Sequence, residues 1–128
     1  MLVDIGSGNG SPAIPLHVVS QLQISHLVEV RAKRAAFLRH VAATLKLAGL
    51  QVHRTRFEEV AARLGRADWI TLQGVALEPE LMESIRQITV PTTTIVWITS
   101  LAMQPPVQPR KTLRVPFTDT QVFLFDLS

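Results

Sequence analysis

Short apolar runs alternate along the chain with longer segments of helical periodicity. Runs of four to eight apolar residues that are bounded by turn residues are typical of buried strands. On this pattern the predicted strands cover residues 2–5, 24–30, 51–55, 68–72, 93–99, 112–115 and 121–126. Pro105, Pro106 and Pro109 predict a loop before the last two strands, which we expect to form a hairpin.

Helical segments separate the first five predicted strands. Ser11 and Pro12 predict the start of the first helix, because serine is a good cap and proline fits the first helical position. In the second helix the apolar positions that recur at helical spacing are Ala35, Leu38, Ala42 and Leu45. The predicted helices cover residues 11–23, 31–47, 57–64 and 79–88.

Strands and helices alternate regularly up to the final pair of strands. This order predicts an α/β fold with a mostly parallel sheet, helices on both faces and an antiparallel C-terminal hairpin. A chain of 128 residues is long enough to bury one core, so we expect residues 1–128 to form a single domain.

Composition narrows the functional classes. Hydrophobic residues make up 47% of the chain and charged residues 18%, which is typical of a packed globular protein. The absence of cysteine excludes a disulfide scaffold, a thiolate metal site and a cysteine nucleophile, and it agrees with a reducing cytoplasm. The four histidines lack the spacing of a zinc site. No apolar run is long enough to span a membrane, so we expect a cytoplasmic protein without a membrane partner.

Positive charge is concentrated in one segment. The net charge is +3, but residues 31–66 contain nine arginine or lysine residues and two glutamates, a formal charge of +7. A solvated helix surface would account for this segment, and so would a surface that binds nucleic-acid phosphates. On the second interpretation we expect Arg31, Arg34 and Arg39 to contact RNA.

A glycine-rich loop follows the first predicted strand. Gly6, Gly8 and Gly10 form a GxGxG pattern, in which the glycines allow a tight turn and a close approach of a ligand to the backbone. The loop lacks the lysine of a phosphate-binding loop, and Ser11 stands where the dinucleotide fingerprint has its third glycine. The pattern is usual in sites for S-adenosylmethionine (SAM), and a glycine turn without a ligand is the alternative.

Two further elements follow the glycine loop at suitable spacing. Glu29 lies near the end of the second strand, about twenty residues after the glycines, where a carboxylate can accept hydrogen bonds from ribose hydroxyls. Phe57 and Glu58 follow the third strand, where an apolar side chain and a backbone amide can hold an adenine ring. Phe57 fits the hydrophobic core equally well.

Four blocks of the sequence resemble the GidB family. They are the glycine loop with the first helix (residues 4–16), an acidic residue followed by basic residues and Phe-Leu-Arg (28–39), Arg-Phe-Glu-Glu (56–59) and Thr-Leu-Gln-Gly-Val-Ala (71–76). The combination of Pro12 with Ile14-Pro15-Leu16 is unusual in other methyltransferases. The resemblance covers residues 2–77.

The resemblance implies a three-layer, Rossmann-like, SAM-dependent methyltransferase fold. GidB enzymes, also called RsmG-type, methylate guanine N7 in small-subunit (16S) ribosomal RNA, so SAM is the implied cofactor and ribosomal RNA the implied partner. Together with the glycine loop, the resemblance assigns the cofactor site to Asp4, Gly6, Ser7, Gly8, Ser11, Glu29, Phe57, Glu58 and Gln73. No catalytic side chain is assigned, because guanine N7 attacks with a lone pair and has no proton to lose.

The chain departs from the family pattern in three places. The family has a helical region before its first strand, whereas this sequence begins with the strand. The family also has an arginine at the position of Gln73. It has a Lys-Gly pair and a further helix where this chain has Thr99-Ser100 and the proline-rich loop. Missing helices would expose part of the sheet, so self-association into homo-oligomers is a further expectation.

Two other functional classes stay open on the sequence. The first is a relative that binds SAM or RNA without transferring a methyl group, which the missing arginine and the missing N-terminal region favour. The second is a nicotinamide-dependent oxidoreductase, which Ser11 in place of a third glycine disfavours.

Overall fold

The computed structural model describes residues 1–127, which form seven strands and four helices. The strands are β1 (Leu2–Ile5), β2 (Ser25–Val28), β3 (Leu50–His53), β4 (Trp69–Gln73), β5 (Thr94–Ser100), β6 (Lys111–Arg114) and β7 (Thr120–Phe125). The helices are α1 (Ala13–Val19), α2 (Ala32–Thr44), α3 (Phe57–Leu64) and α4 (Pro79–Arg86). Every element that the sequence predicts is therefore present.

The seven strands form one sheet with the order β3-β2-β1-β4-β5-β7-β6. Strands β1 to β5 run parallel, and β7 pairs antiparallel with both β5 and β6. The predicted α/β class, with its antiparallel C-terminal hairpin, is confirmed. From β1 the chain adds β2 and β3 toward one edge of the sheet, and it then returns to place β4 and β5 on the other side of β1. The strand order therefore reverses between β1 and β4. Ligands of open α/β sheets bind at the carboxyl ends of the strands at such a point.

Side chains of β1 alternate between two hydrophobic cores, because successive residues of a strand point to opposite faces. Val3 and Ile5 belong to the larger core, to which α3 and α4 contribute. Leu2 belongs to a smaller core, whose other buried members are Ala13, Leu27 and Leu38. Asp4 alternates with Val3 and Ile5, so its buried carboxyl group lies on the α1 face of the sheet.

The first two helices are shorter than the sequence predicts. Ser11 is not the cap of α1, since the helix begins at Ala13 with Pro12 at the N-cap and no side chain caps it. Pro12 therefore lies one position before the first helical position that the sequence predicts for it. Gln21 has a left-handed φ of 50°, which is incompatible with a helix. Helix α1 therefore ends before residue 23, the end that the sequence predicts. Lys46, with a φ of 53°, likewise follows the end of α2 at Thr44. Both turns use a residue other than glycine, which a sequence pattern does not indicate.

The segment between β5 and β6 forms no helix, as its three prolines predict. Val107 of this segment packs against the larger core. Arg110 Nη2 donates to Thr94 Oγ1 (2.8 Å) and so joins the start of β6 to the start of β5. Within residues 1–127, no helix is long and apolar enough to cross a membrane.

Candidate functional site

The loop after β1 closes against the end of β2. The N–H groups of Gly6 and Ser7 both donate to the Val28 carbonyl oxygen, at 2.9 and 3.1 Å. The Gly10 N–H donates to the Ser7 carbonyl oxygen at 2.8 Å, which completes a tight turn. The glycine loop is therefore fixed by backbone hydrogen bonds at the carboxyl edge of the sheet.

Gly6 is required by both its backbone angle and its surroundings. Its φ is +72°, a conformation that residues with a Cβ rarely adopt. A Cβ at this position would lie 2.7 Å from Val75 Cγ2, which belongs to the loop after β4. Trp97 Nε1 donates to the Val75 carbonyl oxygen (2.9 Å) and so holds that loop from the core. The two loops at the strand-order reversal thus pack directly against each other.

Glu29 is a buried acidic side chain held by hydrogen bonds beside the glycine loop. It is only 5% exposed and lies directly after β2. Its Oε1 accepts the Gly8 N–H at 2.9 Å, and its Oε2 accepts the Arg31 N–H at 2.8 Å. A carboxylate oxygen can accept more than one hydrogen bond, so each oxygen keeps capacity for a hydroxyl donor. The backbone thus orients a carboxylate that can bind two neighbouring hydroxyl groups.

Asp4 is a second buried carboxyl group, at the point where the strand order reverses. Its Oδ1 accepts the Thr71 hydroxyl, whereas its Oδ2 has no hydrogen-bond partner. Burial, and to a smaller extent the nearby Glu29 charge, raises the pKa of Asp4 to about 6, against the opposing effects of hydrogen bonding by Thr71 and Ser7. An unpaired buried carboxylate oxygen is costly, and such atoms are concentrated at functional sites.

Three cavities open at this edge of the sheet. The Glu29 cavity, of about 170 Å³, is lined by Ile5, Gly6, Val28, Glu29, Val30, Thr55, Arg56, Phe57, Glu58, Val75 and Leu81. The Phe37 cavity, of about 540 Å³, is lined by Gly6, Ser7, Gly8, Asn9, Ser11, Lys33, Arg34, Phe37 and Gln73. The Ser100 cavity, of about 470 Å³, is lined by Gln73, Gly74, Val75, Ala76, Ile98, Thr99, Ser100, Met103, Asp119 and Thr120.

Shared residues connect these cavities. Gly6 lines both the Glu29 and the Phe37 cavity, and Gln73 lines both the Phe37 and the Ser100 cavity. Val75 is common to the Glu29 and Ser100 cavities. Every residue expected at the cofactor site except Asp4 therefore lines at least one of these cavities, around the ends of β1 to β4. Asp4 lines none of them and is buried within β1. Phe57 is both a wall of the Glu29 cavity and a member of the larger core, at 3% exposure.

The three arginines expected to contact RNA do not form one cluster. All three are exposed. Arg31 precedes α2, Arg34 lies beside the glycine loop, and the Arg39 Nη2 donates to the Val52 carbonyl oxygen (3.4 Å) on β3. At about 100° per residue, Arg34 and Arg39 are roughly 140° apart around α2. They therefore flank the buried stripe of the helix on opposite sides.

The buried histidines have partners within the fold. His17 Nδ1 lies 2.7 Å from Ser25 Oγ and its Nε2 lies 2.8 Å from the Ala48 carbonyl oxygen, so this ring joins α1 to β2. His26 Nδ1 lies 2.9 Å from His53 Nε2. Burial lowers the pKa of both members of this pair. In the part of the chain that the structure describes, no three His, Asp or Glu side chains could hold a metal ion together.

Lys33, Phe37 and Val75 line the site and were not expected from the sequence. One signal for Phe37 was present, because this large aromatic residue lies off the apolar stripe of the second helix. Val75 had no such signal. Its position depends on the packing of the loop after β4 against Gly6.

A family model accounts for most of the chain. The model described as GidB, rRNA small subunit methyltransferase G, matches residues 1–107. The chain belongs to the GidB family. The resemblance seen in residues 2–77 is thereby confirmed, and the match to GidB extends through β5.

Curated GidB relatives match more than half of the chain. The ribosomal RNA small subunit methyltransferase G of Oleidesulfovibrio alaskensis is 40% identical over 79 residues, which are 62% of this chain and 34% of that protein. The protein of the same name from Helicobacter bizzozeronii is 44% identical over 69 residues, which are 54% of this chain and 38% of that protein. The match thus spans little more than a third of the length of these relatives.

Solved structures with low sequence identity share the fold. TrmN from Thermus thermophilus superposes with a TM-score of 0.78 and 14% identity, over 96% of this chain and 42% of that chain. A mutant of MtNAS in complex with S-adenosylmethionine superposes with a TM-score of 0.74 and 22% identity, over 99% of this chain and 55% of that chain. The Rossmann-like methyltransferase fold that the GidB resemblance implied is confirmed.

Proposed function

We propose that this chain is the SAM-binding part of a methyltransferase that acts on guanine N7 of small-subunit (16S) ribosomal RNA. The Glu29 carboxylate carries the proposal, because the Gly8 and Arg31 N–H groups fix it on the wall of a cavity beside the glycine loop. The name of the GidB relatives, ribosomal RNA small subunit methyltransferase G, supplies the substrate class. In this proposal residues 1–128 act as one domain and work in the cytoplasm, where ribosomal RNA is found.

The residues present fit SAM. The adenosine is proposed to occupy the Glu29 cavity, where the ribose hydroxyls donate to Glu29 and the adenine contacts Phe57 and the backbone at Glu58. The amino-acid end then passes Gly6, where a Cβ would fill the space, toward Gln73. The loop residues assigned to this end are Ser7, Gly8 and Ser11. Asp4, two residues before Gly6, adds a buried acidic group that favours a cationic cofactor.

The proposed chemistry requires positioning more than proton transfer. SAM supplies an electrophilic methyl group on a positively charged sulfur. The guanine N7 lone pair forms the new bond to carbon as the carbon–sulfur bond breaks, and a neutral thioether leaves. The protein has no proton to remove, so its contribution is to hold the two reactants in line. The Ser100 cavity adjoins the others through Gln73 and Val75, and we assign the target base to it.

The basic segment is proposed to bind the RNA backbone. Arg31, Arg34 and Arg39 are exposed. In this proposal an RNA strand that contacts all three crosses the surface of α2 from the glycine loop toward β3. Each phosphate contact with a single strand contributes about 0.7 to the slope of log affinity against log salt concentration. RNA affinity that does not change with salt would contradict this assignment.

Transfer of a labelled methyl group from SAM to 16S ribosomal RNA tests the proposal, with the modified guanine located by chemical cleavage at N7-methylguanine. We expect Glu29→Ala to lose most of the transfer, whereas Glu83→Ala, which removes an exposed glutamate of α4, serves as the matched control and retains it. SAM binding without transfer by the unmodified chain would select the non-catalytic alternative. Binding of NADH but not SAM, measured by fluorescence, would select the oxidoreductase.

A further inference from the structure

Three side chains of α2 form the outer wall of the Phe37 cavity and have no role in the proposed cofactor site. They are Lys33, Arg34 and Phe37, and they face the glycine loop across the cavity. Phe37 is 50% exposed, whereas its neighbour Leu38 is completely buried in the smaller core. An aromatic ring of this size is therefore kept at the surface beside the glycine loop.

The two cations beside this ring are unpaired. Within residues 1–127, neither Lys33 nor Arg34 makes an ion pair or a side-chain hydrogen bond. Arg34 Nη1 lies close above the loop, because a Cβ built on Gly8 would be 3.7 Å from it. Within the described residues, no ion pair joins this guanidinium to the nearby Glu29 carboxylate. The cavity therefore offers free positive charge next to an exposed aromatic face.

An exposed aromatic ring between free cations suits one nucleotide of a single strand. Bases stack on aromatic side chains without regard to sequence, and arginine and lysine neutralise the adjoining phosphate. The amino-acid end of SAM has a carboxylate that the cations could attract, but it has no planar group for the Phe37 ring. A double-stranded segment keeps its bases stacked inside the helix and cannot present one to the ring.

We propose that the α2 side of the Phe37 cavity binds one nucleotide of the RNA strand next to the methylated guanine, while the amino-acid end of SAM lies along the glycine loop on the opposite side of the cavity. The base of this nucleotide stacks on Phe37, and its phosphate lies between Lys33 and Arg34. The inference rests on the proposed function, because it places a second nucleotide of the same RNA beside the cofactor loop. The Gln73 side chain, shared with the Ser100 cavity, then separates this nucleotide from the target base.

The experiment measures two affinities for each variant: fluorescence anisotropy with a single-stranded 16S ribosomal RNA oligonucleotide, and calorimetry with SAM. We expect Phe37→Ala to weaken RNA binding about tenfold, on the scale of a single base–aromatic stack, and to leave the SAM affinity unchanged. Phe37→Trp restores RNA binding. Leu45→Ala, which removes another exposed apolar side chain just after α2, is the matched control and leaves both affinities unchanged.

Salt dependence separates stacking from charge. The double variant Lys33→Gln with Arg34→Gln is expected to reduce the slope of log RNA affinity against log salt by roughly 0.7 for each phosphate that these two side chains neutralise. Phe37→Ala is expected to leave that slope unchanged, because it removes no charge.

Each contrary result has a distinct meaning. If Phe37→Ala lowers SAM affinity and leaves RNA affinity intact, the cavity belongs to the cofactor and the inference is overturned, while the proposed function stands. Equal losses of RNA affinity in Phe37→Ala and Leu45→Ala also overturn it. If the unmodified chain does not bind SAM at all, it is the proposed function that fails. Thermal melting of each variant, monitored by circular dichroism, shows whether it is folded.

Discussion

Asp4 is the residue whose ionisation bears most directly on stability. Burial raises its pKa from 3.8 to about 6, so between these values the folded state holds a proton that the unfolded state has released. The stability that comes from this group is therefore present at low pH and is lost as the pH rises through that range. The loss is about 3 kcal/mol at most.

Asp4→Asn removes this titration and keeps a similar side-chain shape. We expect the variant to exceed the unmodified chain in free energy of unfolding by about 1–3 kcal/mol near pH 8, and to lose this advantage near pH 3.5. Urea unfolding at several pH values measures the difference. A difference that does not change with pH would contradict a buried, partly unpaired carboxylate. We also expect weaker SAM binding, because the variant loses the negative charge beneath the loop.

Gln73 is the position at which this chain departs most clearly from the GidB pattern. It is exposed at the end of β4 and lines two cavities, so an arginine there could reach the cofactor or the RNA. A charge-assisted hydrogen bond is worth about 1.5–3 kcal/mol. We therefore expect slow methyl transfer by the unmodified chain and a gain of roughly tenfold or more in SAM affinity or turnover for Gln73→Arg. Fast transfer with no gain from the substitution would show that this position has no such role.

The sequence predicts which residues line the site, but it does not predict the hydrogen bonds that hold them there. The spacing between the glycines and Glu29 suggests a ribose-binding carboxylate. It does not indicate that the Gly8 and Arg31 N–H groups orient this carboxylate, since those bonds depend on the parallel register of β1 and β2. The position of Phe37 off the apolar stripe indicates an exposed ring, but it does not indicate that the ring lies beside the glycine loop.

At the scale of elements, Trp97 connects β5 to the loop after β4. Its indole N–H donates to the Val75 carbonyl oxygen, and Val75 in turn packs against Gly6. Trp97→Phe keeps an aromatic ring in the core but leaves that carbonyl unpaired, which we expect to cost about 1–3 kcal/mol of folding free energy. We also expect weaker SAM binding, measured by calorimetry, because the Val75 loop is no longer fixed beside the glycine loop.

A second core variant separates these two effects. Phe123→Leu removes an aromatic ring whose centroid lies 5.8 Å from that of Trp97. It leaves the indole hydrogen bond in place. It is expected to reduce stability without a matching loss of SAM affinity. Equal losses of affinity in both variants would contradict a specific role for the indole hydrogen bond.

Element type was predictable, and element length was less so. Strand β1 and helix α3 agree with the predicted limits because apolar runs and turn residues bound them clearly. The helices α1 and α2 end early at turns in which Gln21 and Lys46 have left-handed angles. Each turn is closed by local backbone hydrogen bonds, from Leu22 N–H to the His17 carbonyl and from Leu47 N–H to the Ala42 carbonyl, without the glycine that usually marks such an end. The proline-rich loop was predicted correctly because proline itself excludes a regular helix there.

At the scale of the whole molecule, the α1 face of the sheet has an exposed apolar surface. A cavity of about 440 Å³ is lined there by Leu2, Leu16, Ser20, Leu22, Trp69, Thr71 and Val96. Trp69 is 44% exposed, and Val19 at the end of α1 is 81% exposed. Exposed apolar surface of this kind favours association, so self-association stays a prediction for this chain.

Sedimentation at several concentrations tests this expectation. We expect the isolated chain to form concentration-dependent oligomers, and Val19→Lys to shift them toward the monomer. Phe117→Ser is the control, because it removes a fully exposed aromatic residue from the turn between β6 and β7. A monomer at every concentration, or an equal response to both substitutions, would contradict self-association through the α1 face.

Family and fold were recognisable from the sequence because the glycine loop and the block after β2 hold their spacing. The sequence does not indicate that three cavities meet at Gly6, Gln73 and Val75. This arrangement arises only because β4 lies beside β1 in the sheet. The same arrangement explains why one loop can serve both a cofactor and an RNA strand in our proposals.

Calorimetric titration with SAM tests the central claim most directly, because it measures the Glu29 site without requiring RNA or turnover. The account predicts one SAM bound per chain, with binding weakened by about 1–3 kcal/mol in Glu29→Ala and unchanged in the exposed control Glu83→Ala. No binding by the unmodified chain, or equal binding by the two variants, would contradict it.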